Sequence, residues 1–221
     1  MSTPADPATP RPGRRDAWEN RERVLAAAAA VLHRDGPRVP LARIAEEAGV
    51  GVATLYRNYP SREALLVALT ERSYRLVLDD ARRAADSDLP AIEAIGGFLD
   101  QLVQRRTELV LPFVGGPVPV DPRAVELRAR IQEALDRLLA RGRRDGTVRD
   151  DVISLDVVVA GALLVQGLAA HPDWDAGARR HAGIVLDGLS PAAARPLRGA
   201  RLRGADLERH FSHGRAGLSA E

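Results

Sequence analysis

The spacing of apolar residues along the chain follows the period of an α-helix and shows no clean β-strand alternation. Over residues 18–36, apolar side chains recur every three or four positions, and Gly36 and Pro37 then end the pattern. Similar spacing recurs over 62–86 and in several segments of 89–189. Alanine, leucine and arginine, which favour helices, dominate the composition. We therefore predict an all-α fold.

Between the first and the long helix, the pattern predicts two short helices joined by a tight turn. Pro40 precedes the first short helix and suits a helix start, where its missing N–H costs nothing. Gly49 can adopt the positive φ that a tight turn requires. In the second short helix Leu55 faces the core, and Pro60 ends the helix. Two short helices joined in this way form a helix-turn-helix.

The outer side of the second short helix carries short or hydrogen-bonding side chains. Such side chains suit a helix laid in the major groove of DNA, because bulky residues would hold the backbone away from the bases. The residues that we expect to point outward are Val52, Ala53, Thr54, Tyr56, Arg57 and Asn58.

The distribution of charge agrees with a DNA-binding front end. Residues 1–62 hold ten arginines and seven acids, a balance of +3, whereas residues 63–190 hold sixteen arginines and twenty acids, a balance of −4. Residues 191–221 hold six arginines and three acids, again +3, so the whole chain carries +2. A basic front with an acidic body suits a protein that presents one end to a polyanion.

Other classes of protein are disfavoured by the composition and by the motifs. The chain contains no cysteine, which excludes disulfides and thiolate metal sites and fits a reducing cytoplasm. The longest apolar run, 157–170, is shorter than the roughly 20 residues of a membrane-spanning helix. No nucleophile elbow, P-loop or dinucleotide fingerprint is present. We expect a cytoplasmic protein that is not an enzyme and has no membrane segment, cofactor or metal.

The segment LARIAEEAGVGVATLYRNYPSREALLVAL resembles the DNA-binding domain of TetR-family transcriptional regulators. That family shows a helix ending in A-x-x-A-G-V, a recognition helix ending in T-L-Y-x-H-F, and a Lys or Arg near the start of the next helix. The resemblance implies that Val52 and Ala53 face bases and that Asn58 faces a base or a phosphate. The residues that it assigns to phosphates are Thr54, Tyr56 and Arg62.

The chain departs from the family pattern in three places, at Asn58, at Tyr59, and at the pair Val39 and Pro40. Asn58 and Tyr59 stand where the family has histidine and phenylalanine. Val39 and Pro40 stand where the family has threonines, which removes a side-chain cap and a phosphate contact. The cation that would replace this contact is either Arg38 or Arg43.

The resemblance also implies a homodimer through the last two helices. Residues 152–170 are apolar on nearly all sides, so their helix must be buried on more than one side. Small residues such as Gly161 would let another helix come close. The residues that we predict at the dimer interface are Val157, Gly161, Leu164, Leu168, Ala178, Ala182, Val185 and Leu189.

A small-molecule pocket inside the larger domain is the third implication of the resemblance. Aromatic residues are scarce in this chain, and Gln166 is a lone polar group in an apolar helix. The residues that we consider for the pocket are Phe98, Leu102, Phe113, Gln166 and Trp174. Simple burial in the core is the favoured alternative for Phe98, Leu102 and Phe113.

These observations predict an N-terminal three-helix helix-turn-helix domain followed by a larger helical domain for ligand binding and dimerisation. The expected segments are a disordered basic tail (1–17), the DNA-binding domain (18–65), the larger domain (66–190) and a flexible tail (191–221). The predicted function is sequence-specific DNA-binding regulation of transcription, by a repressor that a small molecule releases from a near-palindromic operator in double-stranded DNA. The alternative is a homodimeric DNA-binding scaffold that senses no ligand.

Overall fold

The computed structural model describes residues 14–36, 38–111, 122–166, 173–192 and 195–198. Over these residues the chain forms eight α-helices and no β-strand, which confirms the all-α prediction. The helices are α1 (Arg14–Asp35), α2 (Leu41–Glu47), α3 (Val52–Asn58), α4 (Arg62–Ala85), α5 (Ala91–Gln104), α6 (Pro122–Arg144), α7 (Ser154–Gln166) and α8 (Trp174–Leu189). None of them is long and apolar enough to cross a membrane. Contacts divide the chain into unit 1, Met1–Arg62, and unit 2, Glu63–Glu221.

Unit 1 packs α2 against both α1 and α3 around a small apolar core. Leu55 is fully buried, which confirms the inward position predicted for it. The α1 helix begins at Arg14, ahead of the start near Trp18 that the sequence predicts, because residues 14–17 contain no glycine or proline to stop it. The fully buried side chains of this core are Val24, Leu25, Ala28, Ala29, Val31, Ile44, Ala45 and Leu55.

A glycine ends α2 and sets the turn into α3. Gly49 has a φ of +64°, in the left-handed region. Its N–H donates to the Glu46 carbonyl at 3.0 Å, and the Val50 N–H donates to the Ala45 carbonyl at 3.0 Å. This pair of bonds is a Schellman motif, which satisfies carbonyls that the end of a helix leaves open. The tight glycine turn predicted from the sequence is therefore confirmed.

Unit 2 is built around α5, which contacts α6, α7 and α8. Ile95, Phe98 and Leu99 of α5 are almost completely buried. The α7 helix approaches α5 closely at Gly161, where an added Cβ would lie 2.6 Å from the Leu102 Cδ1. This glycine therefore serves the packing of two helices within one protomer.

Side chains from neighbouring segments cap helix ends in unit 2. The Asp145 carboxylate accepts a hydrogen bond from the Ala91 N–H at the start of α5, at 3.2 Å. Arg149 donates to the Gly188 carbonyl near the end of α8, at 3.2 Å, and also pairs with Asp151. The hydrogen bond from Arg149 lowers the pKa of Asp151 to about 2. These caps satisfy backbone groups that helix ends leave without partners.

The α4 helix is held to the rest of unit 2 by polar contacts at its middle and in its second half. The Ser73 hydroxyl is fully buried and accepts a hydrogen bond from the Val110 N–H at 2.8 Å. The Asp80 carboxylate is also buried, and it pairs with Arg83 and with Arg105, whose Nε lies 3.2 Å from Oδ2. Burial raises the pKa of Asp80, and the two guanidinium groups oppose this effect. These contacts fix the helix against the segment that follows α5.

The C-terminal end of α4 is capped by a guanidinium group from α6. Arg141 donates to the Ala85 carbonyl at 3.0 Å, to the Ala84 carbonyl at 3.3 Å, and to the Ser87 carbonyl. These oxygens lie where a helix carries partial negative charge, so a cation is favourable there. The cap attaches the end of α4 to α6.

We expect Gly49→Ala to lower the free energy of unfolding by about 1–2 kcal/mol, because a Cβ at positive φ approaches the following carbonyl. Gly51→Ala is the matched control, since Gly51 has a φ of −65° and its added Cβ would meet only the Thr54 Oγ1, at 3.9 Å. The control should change stability by less than about 0.5 kcal/mol. Urea unfolding followed by circular dichroism measures both variants. Equal losses would contradict the role assigned to the backbone of Gly49.

Candidate nucleic-acid interface

The α3 helix has one buried side and one side open to solvent. Leu55 is its only side chain that is fully enclosed. On the other side Val52 is 42% exposed and Tyr56 is 48% exposed, and Ala53 and Arg57 are also exposed. This is the outward orientation that the sequence predicts. A seven-residue helix anchored by one leucine thus offers most of its surface to a partner.

The flanks of this surface are fixed by contacts within unit 1. The half-buried Thr54 accepts a hydrogen bond from Arg57 Nη2 at 2.9 Å, which holds the guanidinium along α3. Asn58 is exposed at the end of the helix. Tyr59 follows it and is buried, with the Arg21 guanidinium 5.7 Å from the centre of its ring. Tyr59 therefore packs as an aromatic core residue and is not part of the exposed face.

Several arginines near α2 are paired with carboxylates. Arg43 lies 2.8 Å from Glu46 and 3.5 Å from Glu47, and Arg34 pairs with Glu47 at 3.1 Å and with Asp35 at 2.9 Å. Hydrogen bonds from Arg34 lower the pKa of Glu47 and of Asp35. Water and salt weaken an exposed pair of this kind, so a phosphate can compete for Arg43. Part of the positive charge in this region is nevertheless already neutralised.

Arg62 and Arg38 occupy different surroundings. The Arg62 guanidinium is half-buried, and its Nη1 donates to the Val39 carbonyl at 2.6 Å. Arg62 therefore holds the segment between α1 and α2 in place, a contact that the sequence gives no sign of. Arg38, in that same segment, is exposed and makes no hydrogen bond or ion pair with the residues that the structure describes.

Most residues predicted at the dimer interface lie inside unit 2. A side chain enclosed by its own protomer has no surface to offer a partner, so these residues stabilise the protomer instead. Val185 is only half-buried, and Leu168 lies outside the described residues. The residues buried within the protomer are Val157, Gly161, Leu164, Ala178, Ala182 and Leu189.

The apolar surface of the last two helices lies elsewhere. Val159 and Leu163 of α7 are 37% and 64% exposed, and Ile184 of α8 is 62% exposed. We call these three side chains the α7–α8 patch. They are not among the predicted interface residues, because α7 is apolar on nearly every side and periodicity does not distinguish its outer side. The sequence does contain one signal for the outer side of α7. The polar residues Asp156 and Gln166 fall on the same side of the helix as Val159 and Leu163.

The residues considered for a ligand pocket are placed in two different ways. Phe98, Leu102 and Trp174 are buried in the core of unit 2, and the Trp174 indole N–H donates to a carbonyl of α7 at 2.9 Å. Gln166 is exposed at the end of α7, so its amide does not enter the core, contrary to the prediction. Phe113 lies outside the described residues. The burial of Phe98 and Leu102 agrees with the favoured alternative, and their place in a ligand pocket stays a prediction.

Comparisons with known proteins agree with this architecture. Residues 24–69 match the family model "Bacterial regulatory proteins, tetR family", and residues 91–191 match "Transcriptional regulator SbtR-like, C-terminal domain". The HTH-type transcriptional repressor KstR of Mycolicibacterium smegmatis is 28% identical over 155 residues, which cover 68% of this chain and 76% of that protein.

Solved structures show the same fold. The TetR transcription regulatory protein from Mycobacterium vanbaalenii is 35% identical, with a TM-score of 0.58 over 81% of this chain and 99% of that one. FadR from Bacillus subtilis, solved in complex with stearoyl-CoA, shares the fold at 15% identity, with a TM-score of 0.58 over 76% of this chain and 98% of that one. The chain belongs to the TetR family of bacterial transcriptional regulators, and it is a DNA-binding regulator and not an enzyme.

Proposed function

We propose that the protein is a repressor that binds a near-palindromic operator as a homodimer and leaves it when a small molecule binds unit 2. The observation that carries the proposal is the outer side of α3, which is exposed and follows a glycine-closed turn in a chain of the TetR family. A helix in this position reads base edges through its outward side chains. In a bacterial cell, such a regulator works in the cytoplasm, where the DNA is.

Within this proposal, the exposed side of α3 meets the bases and its flanks meet the backbone. Val52 and Ala53, at the start of the helix, face bases, and Asn58 faces a base or a phosphate. Thr54 and Tyr56 contact phosphates through their hydroxyl groups. Phosphate contacts set the register and orientation of the protein on the duplex, whereas contacts to base edges carry the sequence information.

Some arginines of unit 1 are available to contact DNA, and others already make contacts within the protein. Arg38 and Arg57 are exposed and are not paired with a carboxylate among the described residues, so we assign them to phosphates. Arg43 contributes less, because Glu46 and Glu47 offset its charge. Arg62 acts mainly as a positioning residue, since its bond to Val39 fixes the segment that carries Arg38.

The α7–α8 patch is the surface that we assign to the second protomer. Large apolar side chains on two neighbouring helices are costly to leave in water, and a partner with the same patch covers them symmetrically. A two-fold axis through this patch relates the two α3 helices. The DNA target is then a near-palindrome, whose half-sites are spaced by about 34–36 Å for each helical turn.

The attachment of α4 supports a switch in unit 2. A ligand changes DNA affinity only if it binds the DNA-competent state and the other state differently. The segment after α5 contacts α4 through the Val110–Ser73 hydrogen bond and the Arg105–Asp80 ion pair, and α4 begins at Arg62. A ligand that displaces this segment therefore displaces a helix whose first residue belongs to the DNA-binding unit.

Reciprocal binding tests the switch. A ligand is first found by its effect on the melting temperature, and the operator by selection from random DNA. If the ligand weakens operator binding by a given factor, the operator must weaken ligand binding by the same factor, because the two equilibria are coupled. Calorimetric titration of the ligand with and without operator measures this factor. Equal ligand affinity in both titrations would support the ligand-independent scaffold instead.

We expect Ile184→Asp to dissociate the dimer, because the substitution buries an unpaired charge at the α7–α8 patch. Leu89→Asp is the matched control, since Leu89 is 52% exposed outside the patch. Sedimentation velocity should show a dimer for wild type and for the control, and a monomer for Ile184→Asp. The monomer should also lose most of its affinity for the palindrome. A wild-type monomer, or a dimeric Ile184→Asp, would contradict the assignment of this surface.

We expect Arg62→Ala to lower the free energy of unfolding by about 1–3 kcal/mol, because the Val39 carbonyl is deprived of a charged donor. Arg38→Ala is the matched variant from the same segment, and it should leave stability unchanged. Arg38→Ala should instead reduce the slope of log K against log salt by about 0.9 for each phosphate that Arg38 neutralises. Urea unfolding and salt titration of operator binding separate the two roles. Unchanged stability of Arg62→Ala, with a reduced salt slope, would make Arg62 a plain phosphate contact.

A further inference from the structure

We propose that Val52 recognises the 5-methyl group of a thymine in the major groove of each operator half-site. The inference rests on the proposed function, because it assumes that α3 enters DNA, and it adds the identity of one base. Val52 is the first residue of α3, it carries no hydrogen-bonding group in its side chain, and 42% of its surface is exposed.

The exposure of Val52 is not a consequence of poor packing in unit 1. The helix already buries Leu55, and the chain continues into the core through Tyr59, so the inward positions of this segment are filled. Val52 and Tyr56 are four residues apart and therefore neighbours on the outer side of the helix. Ala53, next to Val52, is also exposed and adds only a methyl group, which leaves room for close approach to the groove floor.

The polar groups of α3 lie farther along the helix. Arg57 is held by Thr54 at 2.9 Å, and Asn58 is the last residue of the helix. The first two residues of α3, Val52 and Ala53, therefore present apolar side chains, and the half-buried Thr54 follows them. In helix-turn-helix proteins it is the N-terminal residues of the recognition helix that contact base edges.

The chemistry of the major groove selects thymine for such a surface. Guanine and adenine present acceptors and adenine and cytosine present donors, whereas thymine presents a methyl group beside its O4 acceptor. An apolar side chain pressed against the polar edges removes their water and offers no hydrogen bond in return, which is unfavourable. Against thymine, the valine buries the methyl group. The burial of the methyl group and the desolvation penalty at the other bases therefore both favour thymine.

The test replaces single thymines of a selected operator by deoxyuridine, which removes only the 5-methyl group. We expect one position in each half-site at which this change weakens binding by about fourfold, the effect of one methyl-sized apolar contact, and by about sixteenfold when both half-sites are changed. Deoxyuridine at thymines elsewhere in the operator should have no such effect. Fluorescence anisotropy titrations at fixed salt measure the affinities.

Protein variants identify the side chain responsible. Val52→Ala should bind the unmodified operator more weakly and should become insensitive to deoxyuridine at the recognised position. Because Val52 is exposed and alanine favours helices, this variant should fold like wild type, which circular dichroism checks. Tyr56→Phe is the control on the same side of α3, and it should keep the full sensitivity to deoxyuridine.

The outcomes separate the inference from the function on which it rests. If a selected operator is bound specifically but no deoxyuridine weakens it, or if Val52→Ala stays as sensitive as wild type, the thymine contact is overturned and the DNA-binding regulator stands. If no sequence is selected from random DNA at all, the proposed function fails and the inference fails with it. The contact is supported if Val52→Ala loses the sensitivity to deoxyuridine while Tyr56→Phe, whatever its affinity for the unmodified operator, keeps the fold-change of wild type.

Discussion

Arg141 donates to three backbone oxygens at the end of α4, and the buried Ser73 and Asp80 hold the same helix farther back. Regulation of the kind proposed depends on this attachment. Burial of apolar surface is non-directional, whereas buried hydrogen bonds and ion pairs have defined partners and a defined register. In the switch that we propose, these contacts are the ones through which a displacement elsewhere in unit 2 reaches α4.

Unit 1 meets a different requirement, because it must be rigid and yet leave a whole helix side uncovered. The Schellman motif at Gly49 fixes the turn, and Leu55 fixes the rotation of α3 about its own axis. Arg62 fixes the preceding segment through the Val39 carbonyl. Three contacts of different chemistry thus replace the larger core that so small a unit does not have. The residues on the exposed side of α3 are not needed for the core, so they can vary with the DNA sequence that the helix binds.

Much of the fold follows from the sequence, since helical periodicity, Gly49 and the terminating prolines are local signals. The outer side of α3 follows as well, because a short helix has room for only one buried anchor, Leu55. The dimer residues could not be predicted in the same way. An apolar helix such as α7 does not reveal whether a given side is covered by α5 of its own protomer or by a second chain. Long-range bonds to backbone, as from Arg62 to Val39, leave no trace in a sequence pattern at all.

The cap on α4 also has a consequence for how the chain can diverge. All three oxygens that Arg141 contacts belong to the main chain, at Ala84, Ala85 and Ser87, and every amino acid supplies such an oxygen. Substitutions at the accepting positions can therefore accumulate while the cap persists, provided that they keep the helix. A substitution of Arg141, the donor, removes the cap in one step. The two partners of the cap thus differ in their tolerance to mutation. Genetic drift can change the accepting residues of α4 and of the turn after it, whereas Arg141 stays constrained.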